Sequence, residues 1–192
     1  IDINPNNTDG GIIFGSSAGI TLDDNLTANG PIDASVVTGD IIIGTAATTI
    51  DSTNADITLG GAIVGTQALG LNAGDGVISL QAVGGGTVPT SVTIAAASQL
   101  ILNSDIESSG PVTLNVSGLT STTLTDDVTI TGAGVALGAV SGPHGLILDG
   151  TDAAVDVDSG SIGSLTVRDA SNVTFAAPFS TTGNVTVSDD IT

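Results

Sequence analysis

The chain contains no cysteine, methionine, tryptophan or tyrosine, and its one Arg/Lys side chain is Arg168, beside a lone His144. Each absence excludes something. Without cysteine there is neither a disulfide framework nor a thiolate site for metal or redox chemistry. One guanidinium cannot neutralise a row of phosphates, so nucleic acid is excluded as a partner. The missing Tyr and Trp also remove the stacking platforms that single-stranded bases use. The same charge deficit disfavours an anionic membrane surface. No run reaches the ~18 apolar residues of a membrane span, so no membrane insertion is expected. Aromatics are limited to Phe14, Phe175 and Phe179, and Glu107 is the sole glutamate beside nineteen aspartates.

What remains is apolar and acidic. Net charge is -19, yet 40% of residues are hydrophobic and mean hydropathy is +0.46. A disordered acidic chain would be poor in apolar residues, so this one is expected to fold. Aspartate suits tight turns, because its short side chain bonds its own backbone and tolerates left-handed geometry; glutamate suits helices. The imbalance predicts many turns and almost no helix.

Short runs with period-two alternation dominate: ITL at 20–22, III at 41–43, DITL at 56–59, VISL at 77–80, SVTI at 91–94, VTLNV at 112–116, DVTIT at 127–131, LILD at 146–149, SLTVR at 164–168, NVTF at 172–175 and NVTV at 184–187. Val, Ile and Thr favour strands because their branched Cβ packs on a pleated surface, and Gly, Asn, Asp and Ser punctuate the gaps.

The runs also recur as a phrase. AGITLDDNLTANGPIDA (18–34), ASQLILNSDIESSGPVTLN (97–115) and DASNVTFAAPFSTTGNVTVSDD (169–190) align Gly30, Gly110 and Gly183, together with Leu22, Leu102 and Phe175, at separations of 80 and 73 residues. Ile57 in ADITLGGAI lies 37 residues beyond Ile20. These separations point to a unit of about 20 residues, typical of solenoids. The predicted fold is all-β: a parallel β-helix (β-solenoid) of about ten coils of about 20 residues, forming one domain over 1–192. With strands about 4.8 Å apart it would be a rod roughly 45 to 50 Å long. The alternative is two Ig-like β-sandwich domains of about 95 residues each. Sandwich cores usually carry aromatic anchors, whereas this composition fills a narrow interior with aliphatics.

The stretch GAVSGPHGLILDGTDAAVDVDSGSIGSLTVRDASNVTFAAPFSTTGNVTVSDD, residues 138–190, resembles the strand repeats of filamentous-haemagglutinin-like, two-partner-secreted surface proteins of Gram-negative bacteria. The likeness lies in Gly-flanked V-T-V and L-T-V triplets across most of the chain. INPNNTDGGIIFG, residues 3–15, is similar to the asparagine-proline-asparagine-glycine signature of their secretion domain. Asn4, Pro5 and Asn6 match; Asn7 stands where that family has glycine, and Thr8 to Gly10 are inserted. The resemblance implies a right-handed β-helix, export to the cell surface or medium, and adhesion, biofilm-matrix or surface-architecture roles. The chain begins and ends in mid-pattern, so a segment of a longer repeat protein is expected, and open ends would allow self-association or end-to-end stacking.

Chemistry is sparse. A β-helical polysaccharide lyase needs a strong base beside acids; Arg168, in an outward strand position next to Asp169, reads as a solvated charge. A hydrolase needs convergent carboxylates, and the adjacent pairs Asp126-Asp127 and Asp189-Asp190 would point to opposite faces of a strand. His144 lies in a Pro-Gly turn without an evident acid partner. No catalytic, cofactor or metal residue is therefore assigned, and no enzyme activity is expected. Calcium is the one cofactor to weigh, since it takes six to eight oxygens. Asp156 and Asp158 share a strand face, and Asp23, Asp24 and Asp75 are turn acids, but neither the nonapeptide β-roll repeat nor a D-x-D-x-D-G loop recurs. N-x-S/T sequons at Asn6, Asn25, Asn115, Asn172 and Asn184 follow from composition. Thr123-x-Thr125 and Thr129-x-Thr131 are too few for an ice-binding array. The expected role is a non-enzymatic structural repeat segment, extracellular or on the cell surface, acting as adhesin stalk, matrix or filament component. A calcium-dependent module binding cell-surface or polysaccharide partners is the alternative.

Overall fold

A computed structural model describes residues 6–7, 10–15, 18–116 and 118–188. Among them there is no helix, and every strand pairing is parallel. Residues 3–5 and 8–9 of the NPN-type stretch, and the Asp189-Asp190 pair, lie outside the described residues.

The strands form three ladders that the chain visits in turn. The first ladder stacks Asn6–Asn7, Leu26–Ala28, Thr48–Ser52, Leu69–Asn72, Val92–Ala96 and Val112–Leu114, then parts of Val135–Ser141, Gly145–Ile162 and Ser164–Phe175. The second stacks Ile12–Ile13, Ile32–Ala34, Ile57–Leu59, Val77–Leu80, Gln99–Leu102 and Ser121–Leu124, then later parts of Val135–Ser141 and Gly145–Ile162, and Phe179–Thr181. The third stacks Ile20–Leu22, Ile41–Ile43, Ile63–Val64, a single bridge at Val83, Ile106–Glu107 and Val128–Thr131. It ends with the starts of Gly145–Ile162 and Ser164–Phe175, and with Val185–Ser188.

The fold is thus a three-sided parallel β-solenoid, which rules out the antiparallel sandwiches. It has about eight turns of about 21 residues rather than ten of 20. The difference comes from the corners, which hold more residues than a uniform coil would. Leu26 pairs with Ile50, twenty-four residues on, whereas Val155 pairs with Val173, eighteen on. At about 4.8 Å per turn the stack is roughly 38 Å long.

The core follows from the period-two pattern. Buried and outward positions alternate along each strand, and like stacks on like between coils. Ile32, Ile57, Ile78 and Leu100 form one inward rank on the second ladder, and Ile20, Ile41, Ile63, Val83, Ile106, Ile130, Leu148 and Val167 form one on the third. All of these are buried. Burying each such side chain stabilises by about 1.5–3 kcal/mol.

The aromatics stand at the two ends of this interior. Phe14 is in the first described coil, and Phe175 and Phe179 are in the last, their ring centroids 5.1 Å apart. Phe179 lies over Gly160, its partner one coil back, where any Cβ would overlap the ring. In that last described coil Val185 and Val187 are 57% and 47% exposed, although their partners Leu165 and Val167 are buried.

One expectation is corrected in register. Gly30 lies between the first and second ladders, Gly110 between the third and first, and Gly183 between the second and third. Leu22, Leu102 and Phe175 likewise belong to three different ladders. The phrase is real, but each copy describes a different side of the coil. All three sides need the same apolar-x-apolar strand followed by a Gly or Asx corner.

Candidate functional site

The polar chemistry gathers at the corners, where the chain changes direction and Asp and Asn side chains accept from N–H groups at or near the starts of strands one coil on. Asp and Asn there do more than turn the chain. Asn25 Oδ1 accepts a hydrogen bond from the Thr49 N–H of the next coil at 2.8 Å. Asp56 does the same for Val77 at 2.8 Å, Asp105 for Thr129 at 2.7 Å and Asp127 for Gly145 at 2.7 Å. Asn54, itself left-handed at φ 53°, accepts from Asp75 N–H at 3.3 Å, above which Gly74 is also left-handed at φ 56°. A corner carboxamide or carboxylate therefore fastens one coil to the next. The sequence showed Asp as a turn former; this inter-coil role was hidden because the partner lies a whole coil away.

The acids singled out from the sequence take various places. Asp126 and Asp127 stand at an exposed corner rather than within a strand, so the opposite-face argument does not apply to them. Asp126 Oδ1 accepts its neighbour's N–H at 2.8 Å. Asp24 makes the equivalent contact with Asn25 at 2.7 Å. Asp156 and Asp158 do share the outward face of the first ladder, and Asn115 Nδ2 donates to Asp158 Oδ1 at 3.2 Å across the intervening coil. The hydroxyl and N–H of Ser35 hold the Asp33 carboxyl below the usual carboxylate range. Among the described residues, no three His, Asp or Glu side chains converge in a metal-binding group.

Two expectations about bases change. His144 does have an acid partner: its Nδ1 is 3.9 Å from Asp127 Oδ1, one coil back. A shallow depression of about 170 Å³ beside it is lined by Asp127, Thr129, Gly145, Ile147, Ser164 and Thr166. Asp127 is largely exposed and already accepts from Gly145, which makes the pair a solvent-exposed corner contact of the kind worth about 0–1 kcal/mol.

Arg168 is not simply a solvated charge. Its Nε donates to Asp149 Oδ2 at 2.9 Å, and Asp149 is 8% exposed. Asp149 also accepts from the Thr151 N–H at 3.3 Å. The register places Asp149 directly against Arg168 on the third ladder. The pair thus ties two coils where Thr151, Asp152 and Asp169 turn the chain at φ 44°, 63° and 49°.

A shallow depression of about 290 Å³ on the first ladder is floored by small residues such as Ala133, Gly134, Ala136 and Ala154, with Asp156 at its edge. No described helix is long and apolar enough to cross a membrane. Comparison with known proteins returned no matching family model, no similar curated protein and no similar solved structure.

Proposed function

We propose that this chain is a non-enzymatic structural segment, a stiff spacer within a secreted or cell-surface bacterial protein of the filamentous-haemagglutinin-like kind, serving as adhesin stalk, matrix or filament component. The observation that supports the reading is the set of three parallel ladders running along one axis, each coil bonded to its neighbours on all sides. Such a stack resists bending because deformation must break several backbone hydrogen bonds at once, and its repeated texture suits a protein whose task is reach. The polar groups described above act mainly on neighbouring coils, which fits a mechanical task. Pulling the chain end to end in an atomic-force microscope tests this. A spacer gives a rod that extends little before breaking in discrete, coil-sized steps. Smooth extension at low force, as for a flexible linker, would refute it.

The outward pair Asp156 and Asp158 supports a second reading, a calcium-dependent module for cell-surface or polysaccharide partners. Its signature is a rise in melting temperature with calcium that chelator reverses; an unchanged melting point dismisses it.

A further inference from the structure

The acids are distributed unevenly around the rod. Asp40, Asp105, Glu107, Asp127 and Asp149 stand on or beside the third ladder, and Asp51, Asp156 and Asp158 on or beside the first. The second ladder differs. From Val77–Leu80 onward the six segments that lie on it, 77–80, 99–102, 121–124, 139–141, 159–162 and 179–181, contain no Asp, Glu, Lys, Arg or His. Their outward positions carry mostly hydroxyls and amides, interspersed with Val77, Ile101 and Ala139. Ser79, Thr123, Ser141, Ser161 and Ser180 fall in one column, broken by Ile101, with Gln99 beside it. The column is partly organised already, since Gln99 Nε2 donates to Thr123 Oγ1 at 3.1 Å and Asn103 Nδ2 to Ser79 Oγ at 3.2 Å.

We infer that this neutral side is a self-association surface on which a second copy of the chain packs, rod against rod. Three observations select that occupant. Two molecules of net charge -19 repel, and the neutral side is where their backbones can approach with least like-charge contact. Hydroxyls and carboxamides both donate and accept, so the surface is complementary to itself. A second copy also has the same coil spacing, so its outward column stays in step with the first over every turn. The first ladder, neutral in its middle coils, is dented by Gly70 and Ala136 and offers no comparable column.

The association is weak for one rod. Five coil intervals of about 4.8 Å, by a strand about 10 Å wide, give roughly 250 Å² per partner. A stable interface needs about 800 Å². Acids at the flanking corners, Asp75, Asp105, Asp127 and Asp158, face each other across the rim, so salt strengthens the pairing by screening them. This deepens the structural-rod reading and rests on it, adding lateral bundling to reach. The two fail separately: the rod reading by low-force extension, the pairing by the capture experiment below.

The absence of native cysteine makes that experiment clean. Thr123→Cys and Ser141→Cys on the neutral side are compared with Thr93→Cys, a more exposed position on the first ladder, for the rate of disulfide-linked dimer under mild oxidation. The pairing predicts capture about tenfold faster on the neutral side, as expected when a bound partner raises local concentration, and faster still as NaCl increases. Adding Ser79→Asp and Ser161→Asp to the Thr123→Cys chain returns the rate to that of Thr93→Cys, with circular dichroism verifying the fold. Equal rates on both sides, or a rate that falls with salt, overturn the inference. Suppression of capture by soluble dextran also overturns it, reassigning the side to a neutral glycan.

Discussion

The coils before and after residue 132 solve the corner problem in opposite ways. Up to Thr131 the strands are two to five residues long, and wide corners of Gly, Asn and Asp separate them. Between Val135 and Phe175 the strands run through the corners: Val135–Ser141 covers two sides, Gly145–Ile162 three, and Ser164–Phe175 two. Coil length falls accordingly, from the twenty-four residues between Leu26 and Ile50 to the eighteen between Val128 and Leu146. The early corners gain their direction from turn residues and inter-coil side-chain acceptors. The late corners have fewer residues to turn with and hold three non-glycine residues in left-handed backbone, against Asn54 alone among the described early ones, at about 1–2 kcal/mol each. The Asp149–Arg168 pair stands where that strain is concentrated. A short coil thus gains continuous ladder pairing and offsets strained corners with a specific cross-link.

The largest expected effect tests whether early coils depend on their core alone. Ile78→Ala, at a fully buried position, should destabilise by about 3 kcal/mol in denaturant titration, whereas Val187→Ala in the half-exposed last coil should cost well under 1 kcal/mol by the same scaling. Similar losses at both sites would erase the distinction between enclosed and open coils. The next test concerns the late corners. Arg168→Ala should cost about 2 kcal/mol by stranding the buried Asp149 carboxylate, and Asp149→Ala less, because the guanidinium it frees is open to water. A double-mutant cycle should return a coupling of about 1 kcal/mol, reduced because Arg168 is partly exposed. No coupling would mean the pair does not support the tight corner.

A smaller gain should come from the boundary between the two regions. Thr122 Oγ1 is buried on the second ladder without a hydrogen-bond partner. Thr122→Val keeps the shape, removes the orphan group and should stabilise by about 1 kcal/mol; a loss would show that the hydroxyl is satisfied in solution. The smallest effect concerns pH. The Asp33 carboxyl titrates below its unfolded value because Ser35 bonds its charged form. Its stabilisation is therefore complete above the ordinary Asp value of about 3.9 and is lost as pH falls through the depressed one. Melting temperatures of the parent and Asp33→Asn should differ slightly near neutrality and converge as acidification carries Asp33 through its depressed value. A gap that widens in acid would reverse the assignment.

Much of the fold was readable from residue order. The triplets ITL, III and VISL are strands at the positions expected, and the Asp-for-Glu imbalance does mark turns. Strands such as LGLN and TTIDS were less visible because Gly, Asn and Asp occupy their outward positions, where a stacked ladder tolerates them. Which side a phrase belongs to was not readable at all, since three sides share one grammar. The same blindness hid the partners of Arg168 and His144. Asp149 and Asp127 lie 19 and 17 positions earlier in the chain, and only the true coil length brings them into contact.

Three interchangeable sides on one winding have a genetic corollary. Insertion or deletion of one full repeat, about 21 residues, leaves everything downstream facing as before. Loss or gain of a single side, about a third of that, would rotate the remainder of the molecule by a third of a revolution and turn its hydroxyl column toward a different neighbour. Length variation in such genes should therefore come in whole windings, with odd thirds purged wherever the direction a side faces matters.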